Sequence, residues 1–71
     1  MLAVVKIDGE KVRGARERAF LSKGELAERA GLDRNTIGRI EKAGATEVHP
    51  RTIRKIAEAL SVDPTCLTPR E

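Results

Sequence analysis

Two helix-start signals separated by one glycine, all within residues 22–42 (SKGELAERAGLDRNTIGRIEK), constrain this chain more than any other feature. Ser22 followed three residues later by Glu25 is a capping box, in which the hydroxyl takes a free backbone N–H and the carboxylate reaches back to the cap residue. The helix this starts is expected to run to about Ala30. Gly31 then stands where a left-handed residue ends a helix, because it has no Cβ to clash. Asp33 is expected as the N-cap of a second helix carrying Ile37 and Ile40 to about Lys42. Ala27 is small enough for the two helices to cross there, and Ile37, ten residues on, falls on the buried side of the second. Together these residues specify a helix-turn-helix over 23–42.

On a helical wheel, residues 34–42 divide into two faces. Thr36, Ile37 and Ile40 share one; Arg34, Asn35, Gly38, Arg39 and Lys42 gather within about 140° on the other. The second face has no apolar side chain. Arginine can fork onto guanine O6 and N7, and asparagine onto adenine N6 and N7. Arg34, Asn35, Gly38 and Arg39 are therefore the expected base readers, with the glycine admitting a close backbone approach. A solvated face is the ordinary meaning of charge on an isolated helix, and it is the turn that favours the base-reading alternative.

At this point the chain resembles the phage-repressor-like (Cro/repressor-type, or xenobiotic-response-element type) helix-turn-helix transcriptional regulators. The residues that carry the resemblance are LSKGELAERAGLDRNTIGRIEKAG at 21–44 and PRTIRKIAEALSVDPTCL at 50–67, with the region of Arg16. They cover roughly four-fifths of the chain. The resemblance implies an all-α, five-helix repressor-like bundle that places residues 34–42 in the DNA major groove. It also implies that Arg16 pairs with Glu41 as a structural ion pair. The wheel allows this, since each residue borders the apolar stripe of its helix. Lys23 stands where the family commonly has a glutamine on phosphate, at a helix start whose free N–H groups suit an anion. Phosphate contact is accordingly expected at Lys23, Thr36 and Lys42, and secondarily at Arg13, His49 and Arg51, each of which could equally be a solvated side chain.

The rest of the chain reads as support. Residues 2–7, LAVVKI, are apolar and β-branched and stop at Asp8-Gly9, which suggests a short strand. Such a strand could cover a core edge, pair with its copy in a dimer, or fray, and pairing is favoured over fraying because an unpaired apolar strand promotes aggregation. The expected division is an arm at 1–9, a DNA-binding domain at 10–68 and a tail at 69–71. Within the domain a first helix is expected over Glu10–Phe20, with Val12, Ala15 and Ala19 inward. Residues 43–49 (AGATEVH) read as a small polar loop, about one residue longer than the family's. Pro50 opens a helix to Leu60 with Ile53, Ile56, Ala57 and Leu60 inward. Asp63-Pro64 starts a last short helical turn ending near Leu67.

Composition narrows the function classes without choosing among them. In 71 residues, 14 Lys and Arg against 11 Asp and Glu give a net charge of +3, a mild bias that permits a polyanionic partner. One cysteine, Cys66, allows no internal disulfide, and no His/Cys spacing suggests zinc. One histidine and no clustered carboxylates provide no catalytic constellation, so neither an enzyme nor a cofactor is expected. No apolar run approaches the roughly 18 residues of a spanning helix, and MLAVV is followed at once by Lys6 and Asp8, so neither a membrane span nor a secretory leader is expected and the cytoplasm is. Phe20 is the only aromatic, which leaves no stacking platform for single strands. The expected partner is double-stranded DNA, bound by a homodimer through the region Leu60–Leu67 or the strand at 2–7. The alternative is an antitoxin or co-regulator that uses the same fold to hold a protein partner.

Overall fold

The computed structural model describes residues 3–69. Leu2 of the expected strand and Arg70 and Glu71 of the expected tail lie outside that range. The elements in chain order are β1 (Val5–Asp8), α1 (Gly9–Arg18), α2 (Lys23–Ala30), α3 (Arg34–Ala43), β2 (Ala45–Val48), α4 (Pro50–Leu60) and a 3₁₀ turn (Pro64–Leu67). The fold is thus mostly helical, with four α-helices, a fifth helical element in 3₁₀ form and a small sheet.

The local signals of the helix-turn-helix are realised as read. Ser22 Oγ accepts from Glu25 N at 3.0 Å, and Glu25 Oε1 accepts from Ser22 N at 2.8 Å. Gly31 adopts φ 69°, and Leu32 N donates to Ala27 O at 2.8 Å, closing the end of α2. Asp33 does occupy the N-cap of α3, but its carboxylate makes no capping hydrogen bond; its carbonyl receives Thr36 N at 3.0 Å instead. Pro50 is at the first position of α4, and Asp63 caps the 3₁₀ turn through Thr65 N at 2.9 Å.

Two expectations need correction. Residues 43–49 are not simply a loop: Ala45–Val48 form β2, antiparallel to β1 in the register Val5↔Val48, Lys6↔Glu47, Ile7↔Thr46, Asp8↔Ala45. The N-terminal strand pairs with β2 within its own chain and, as one of the expected alternatives had it, covers the core through Ile7, which is completely buried. Finally, α1 stops at Arg18, so Ala19 is exposed where it was expected inside. Phe20 takes φ 59°, and Leu21 N donates back to Arg16 O at 3.1 Å. This early closure lets Leu21 reach the core while Ser22 still caps α2. It also leaves Phe20 pointing outward, 91% exposed.

Fully buried apolar side chains come from every element except β2: Ile7, Val12, Leu26, Ile37, Ile56 and Leu67. At about 1.5–3 kcal/mol for each large apolar side chain removed from water, they are the main force holding α3 against the rest. Gly9 makes the closest backbone approach. A Cβ placed there would lie 2.0 Å from Ile40 O, and Gly9 N donates to Gly44 O at 2.7 Å. The start of α1 is thereby clamped to the end of α3.

Candidate nucleic-acid interface

With Ile37 and Ile40 anchored in the core, the opposite face of α3 is left to solvent. Arg34, Asn35, Arg39 and Lys42 are exposed; Gly38 and Thr36 are half-buried. A Cβ at Gly38 would meet nothing within 4 Å. Packing gives no reason for a glycine in mid-helix, where it costs about 1 kcal/mol relative to alanine. Arg39 Nη2 donates a long hydrogen bond of 3.5 Å to Thr36 Oγ1, too weak to fix the guanidinium in solvent.

Lys23, at the start of α2, joins Arg34, Asn35, Gly38, Arg39 and Lys42 around one shallow depression. The helix-turn-helix brings these residues together from two elements, and no acidic side chain lines the same depression. The first turn of α2 adds its own free N–H groups near Lys23, a location that favours anions.

Arg16 and Glu41 meet as the resemblance implied, in a pair that holds two helices together. Arg16 Nε donates to Glu41 Oε2 at 2.7 Å and Nη2 to Oε1 at 3.1 Å, while Nη1 donates to Leu21 O at 2.8 Å. The two side chains retain 11% and 5% of their exposure. The hydrogen bond to Glu41 raises the Arg16 pKa above its ordinary value, outweighing the opposing effect of burial. The pair fixes α1 to the last turn of α3, and with the bond to Leu21 O it fixes the exposed face of α3 relative to the N-terminus of α2.

The outlying residues divide. Arg13 lies beside Lys23, Gly38 and Lys42 around a neighbouring depression, yet its guanidinium is engaged by Glu17 at 3.2 Å on an exposed surface. His49 and Arg51 lie at the start of α4, away from Lys23. They share a depression with Thr52, Arg54 and Lys55. Between the two ends runs a groove bounded by Thr36 and Arg39 of α3, by Thr46, Glu47 and Val48 of β2, and by His49 and Thr52. The residues of β2, with Thr52, Arg54 and Lys55, were not singled out in the sequence. Thr46 and Val48 do alternate with exposed Ala45 and Glu47, but two alternations are too few to identify a strand.

Among the described residues no group of three His, Cys, Asp or Glu side chains could hold a metal ion. Cys66 is exposed. Among the described residues no helix is long and apolar enough to cross a membrane.

Fold and face together define a helix-turn-helix bundle whose second motif helix presents a basic, exposed face. A family model described as a helix-turn-helix domain matches residues 9–68, and the chain belongs to that family. A curated relative from Archaeoglobus fulgidus, whose name assigns it to the HTH-type transcriptional regulatory proteins, is 39% identical over 56 residues. That match covers 79% of this chain but 18% of the relative, so the chain spans about one-fifth of the relative's length. Among solved structures, the restriction-modification controller protein C.AhdI from Aeromonas hydrophila superposes with a TM-score of 0.76 at 34% identity, over 82% of this chain and 86% of that one. The N-terminal DNA binding domain of SinR from Bacillus subtilis gives 0.80 at 25% identity, over 89% and 91%, and SinR has also been solved in complex with DNA. A hydroxyethylphosphonate dioxygenase variant carries the same fold as 14% of its chain, with a TM-score of 0.77 at 26% identity over 90% of this one. The fold alone therefore does not define an activity.

Proposed function

We propose that this chain is a sequence-specific double-stranded DNA-binding transcriptional regulator, acting as a repressor in the cytoplasm and without catalytic activity. The observation that carries the reading is the acid-free depression in which Lys23 of α2 meets Arg34, Asn35, Gly38, Arg39 and Lys42 of α3. In the proposed complex α3 lies in the major groove. Arg34, Asn35 and Arg39 read base edges, Gly38 allows the backbone close, and Lys23, Thr36 and Lys42 hold phosphates. His49 and Arg51 contact phosphate farther along. Arg13 is the weakest member of the set, because Glu17 already neutralises it.

One helix reads about four base pairs, too few to single out a genomic site. Two copies on a two-fold operator, with half-sites centred about 10 base pairs apart, supply the missing specificity. With β1 paired to β2, the region Leu60–Leu67 is the preferred dimer surface. SinR and C.AhdI, whose names and titles concern DNA binding and control, support the reading by fold and moderate identity.

The test is selection of bound duplexes from a random pool, followed by affinity measurements on selected and random DNA. Asn35→Ala and Arg39→Ala should each lose about 1–3 kcal/mol on the selected site and relax preference at one base position. Lys23→Ala should weaken all duplexes alike. Equal losses on selected and random DNA for Asn35 and Arg39 would make them phosphate contacts. Sedimentation on a selected site should give two chains per duplex; one chain on sites without symmetry would exclude the dimer. A protein-holding role has one observation in its favour, the exposed Phe20, and would be indicated by failure to select any duplex.

A further inference from the structure

We infer that the DNA-backbone surface continues past α3, across β2, onto the outer side of α4, where Arg54 and Lys55 meet phosphate and Glu47 is the carboxylate standing in their path. The inference rests on the DNA-binding reading above and extends it to residues that no sequence motif marks.

Continuity is the first observation. The depression at Lys23 and α3 shares Arg39 with the groove between α3 and β2, and that groove shares His49 and Thr52 with the depression along α4. The cations at the near end are followed by Arg51, Arg54 and Lys55 at the far end. Those three stand at i, i+3 and i+4, on one stripe of α4, while Ile53, Ile56, Ala57 and Leu60 face the core. Among the described residues the ion pairs are Arg13–Glu17 and Arg16–Glu41, so no described carboxylate forms an ion pair with the α4 cations, and the acidic residue on their side of the helix, Glu58, lies one turn further on. Glu47, exposed on β2, is the acidic residue lining the groove.

The second argument is geometric. A helix lying in a major groove about 12 Å wide has a phosphate strand on each bank. Lys23 faces one bank. The elements on the other side of α3 are β2 and the first turns of α4, so they face the second strand. Each side chain there then acts on phosphate according to its sign: Arg54 and Lys55 attract, and Glu47 repels and holds the affinity down for every sequence.

Fluorescence anisotropy of a random-sequence duplex and a selected duplex, over a series of salt concentrations, tests this with the full chain. Arg54→Gln and Lys55→Gln should each weaken both duplexes about three-fold, and each should lower the log–log salt slope by about 0.9. Glu47→Gln should strengthen both by about three-fold, the Boltzmann factor for one charge about 6 Å from a phosphate in water. Lys6→Gln, which removes the cation opposite Glu47 in the sheet, should by the same sign rule weaken both duplexes; if it strengthened them as Glu47→Gln does, the carboxylate would be acting through strand pairing and the inference would fall. A wild-type chain that binds no duplex refutes the DNA reading itself. A wild-type chain that binds while Arg54, Lys55 and Glu47 variants match it refutes only the extension across β2.

Discussion

Replacing Arg16 with methionine should be among the most damaging single changes in this chain, and the geometry says by how much. The substitution removes two hydrogen bonds to Glu41, at 2.7 and 3.1 Å, and a third to Leu21 O at 2.8 Å. It leaves the Glu41 carboxylate, 5% exposed, without its counter-charge. Breaking one side of a buried pair costs about 3–5 kcal/mol, much of it from the uncompensated charge. Arg16 keeps some contact with water, so the lower end applies, about 3 kcal/mol. A domain of this size has about 4–10 kcal/mol in total, and its melting temperature moves about 4–8 °C per kcal/mol. Arg16→Met should therefore melt about 12–24 °C lower. Glu41→Leu should cost less, because Arg16 can still serve Leu21 O and turn toward solvent. The double variant should recover part of the loss, giving a coupling energy of about 2 kcal/mol in urea or thermal unfolding. Moderate salt should change this coupling little, since the pair is largely shielded from solvent. Additive single losses, with no coupling, would refute the claim that the two groups stabilise each other and would reduce the pair to a surface contact.

Other substitutions test the backbone. Gly9→Ala forces a Cβ to within 2.0 Å of Ile40 O, so α1 and α3 must separate; a loss of about 1–3 kcal/mol in denaturant unfolding is expected. Phe20→Gly removes a left-handed aromatic that is 91% exposed, and should raise stability by about 0.5–1 kcal/mol once the extra freedom of the unfolded chain is subtracted; a lower melting temperature would mean that Phe20 packs on something. The Ser22 backbone N–H holds the Glu25 carboxylate below its ordinary value of 4.5, and the Thr65 backbone N–H does the same for Asp63 below 3.8. Both contributions are complete above the ordinary carboxylate range and vanish as pH falls through the lowered values, so Glu25→Gln and Asp63→Asn should flatten the acid limb of a melting-temperature profile and leave its shape above pH 6 unchanged.

What the sequence determined on its own was what short-range chemistry decides. The capping box at Ser22–Glu25, the left-handed Gly31, Pro50 at a helix start and Asp63-Pro64 all act within a few residues, and each is realised in the fold. The polar composition of the α3 face was legible for the same reason, because the 3.6-residue period fixes which side chains share a side once Ile37 and Ile40 are buried. Two helix ends were harder to read. α1 and α4 close through positive φ at Phe20 and Ser61, and neither residue announces a stop as glycine does. Only the tertiary structure decided which distant segments meet. Nothing local in ATEV specifies a strand; it becomes one because Ile7 is drawn into the core and brings the edge of β1 alongside residues 45–48. The same packing gives Gly9 its purpose, since a residue is forbidden a Cβ only when another backbone lies against it. It also joins α3, β2 and α4 into one surface, placing Glu47 beside Arg39 and Thr52, and Arg54 and Lys55 beside Thr52. Those neighbours are set by burial of apolar side chains across the whole chain, a long-range free energy that no window of sequence contains.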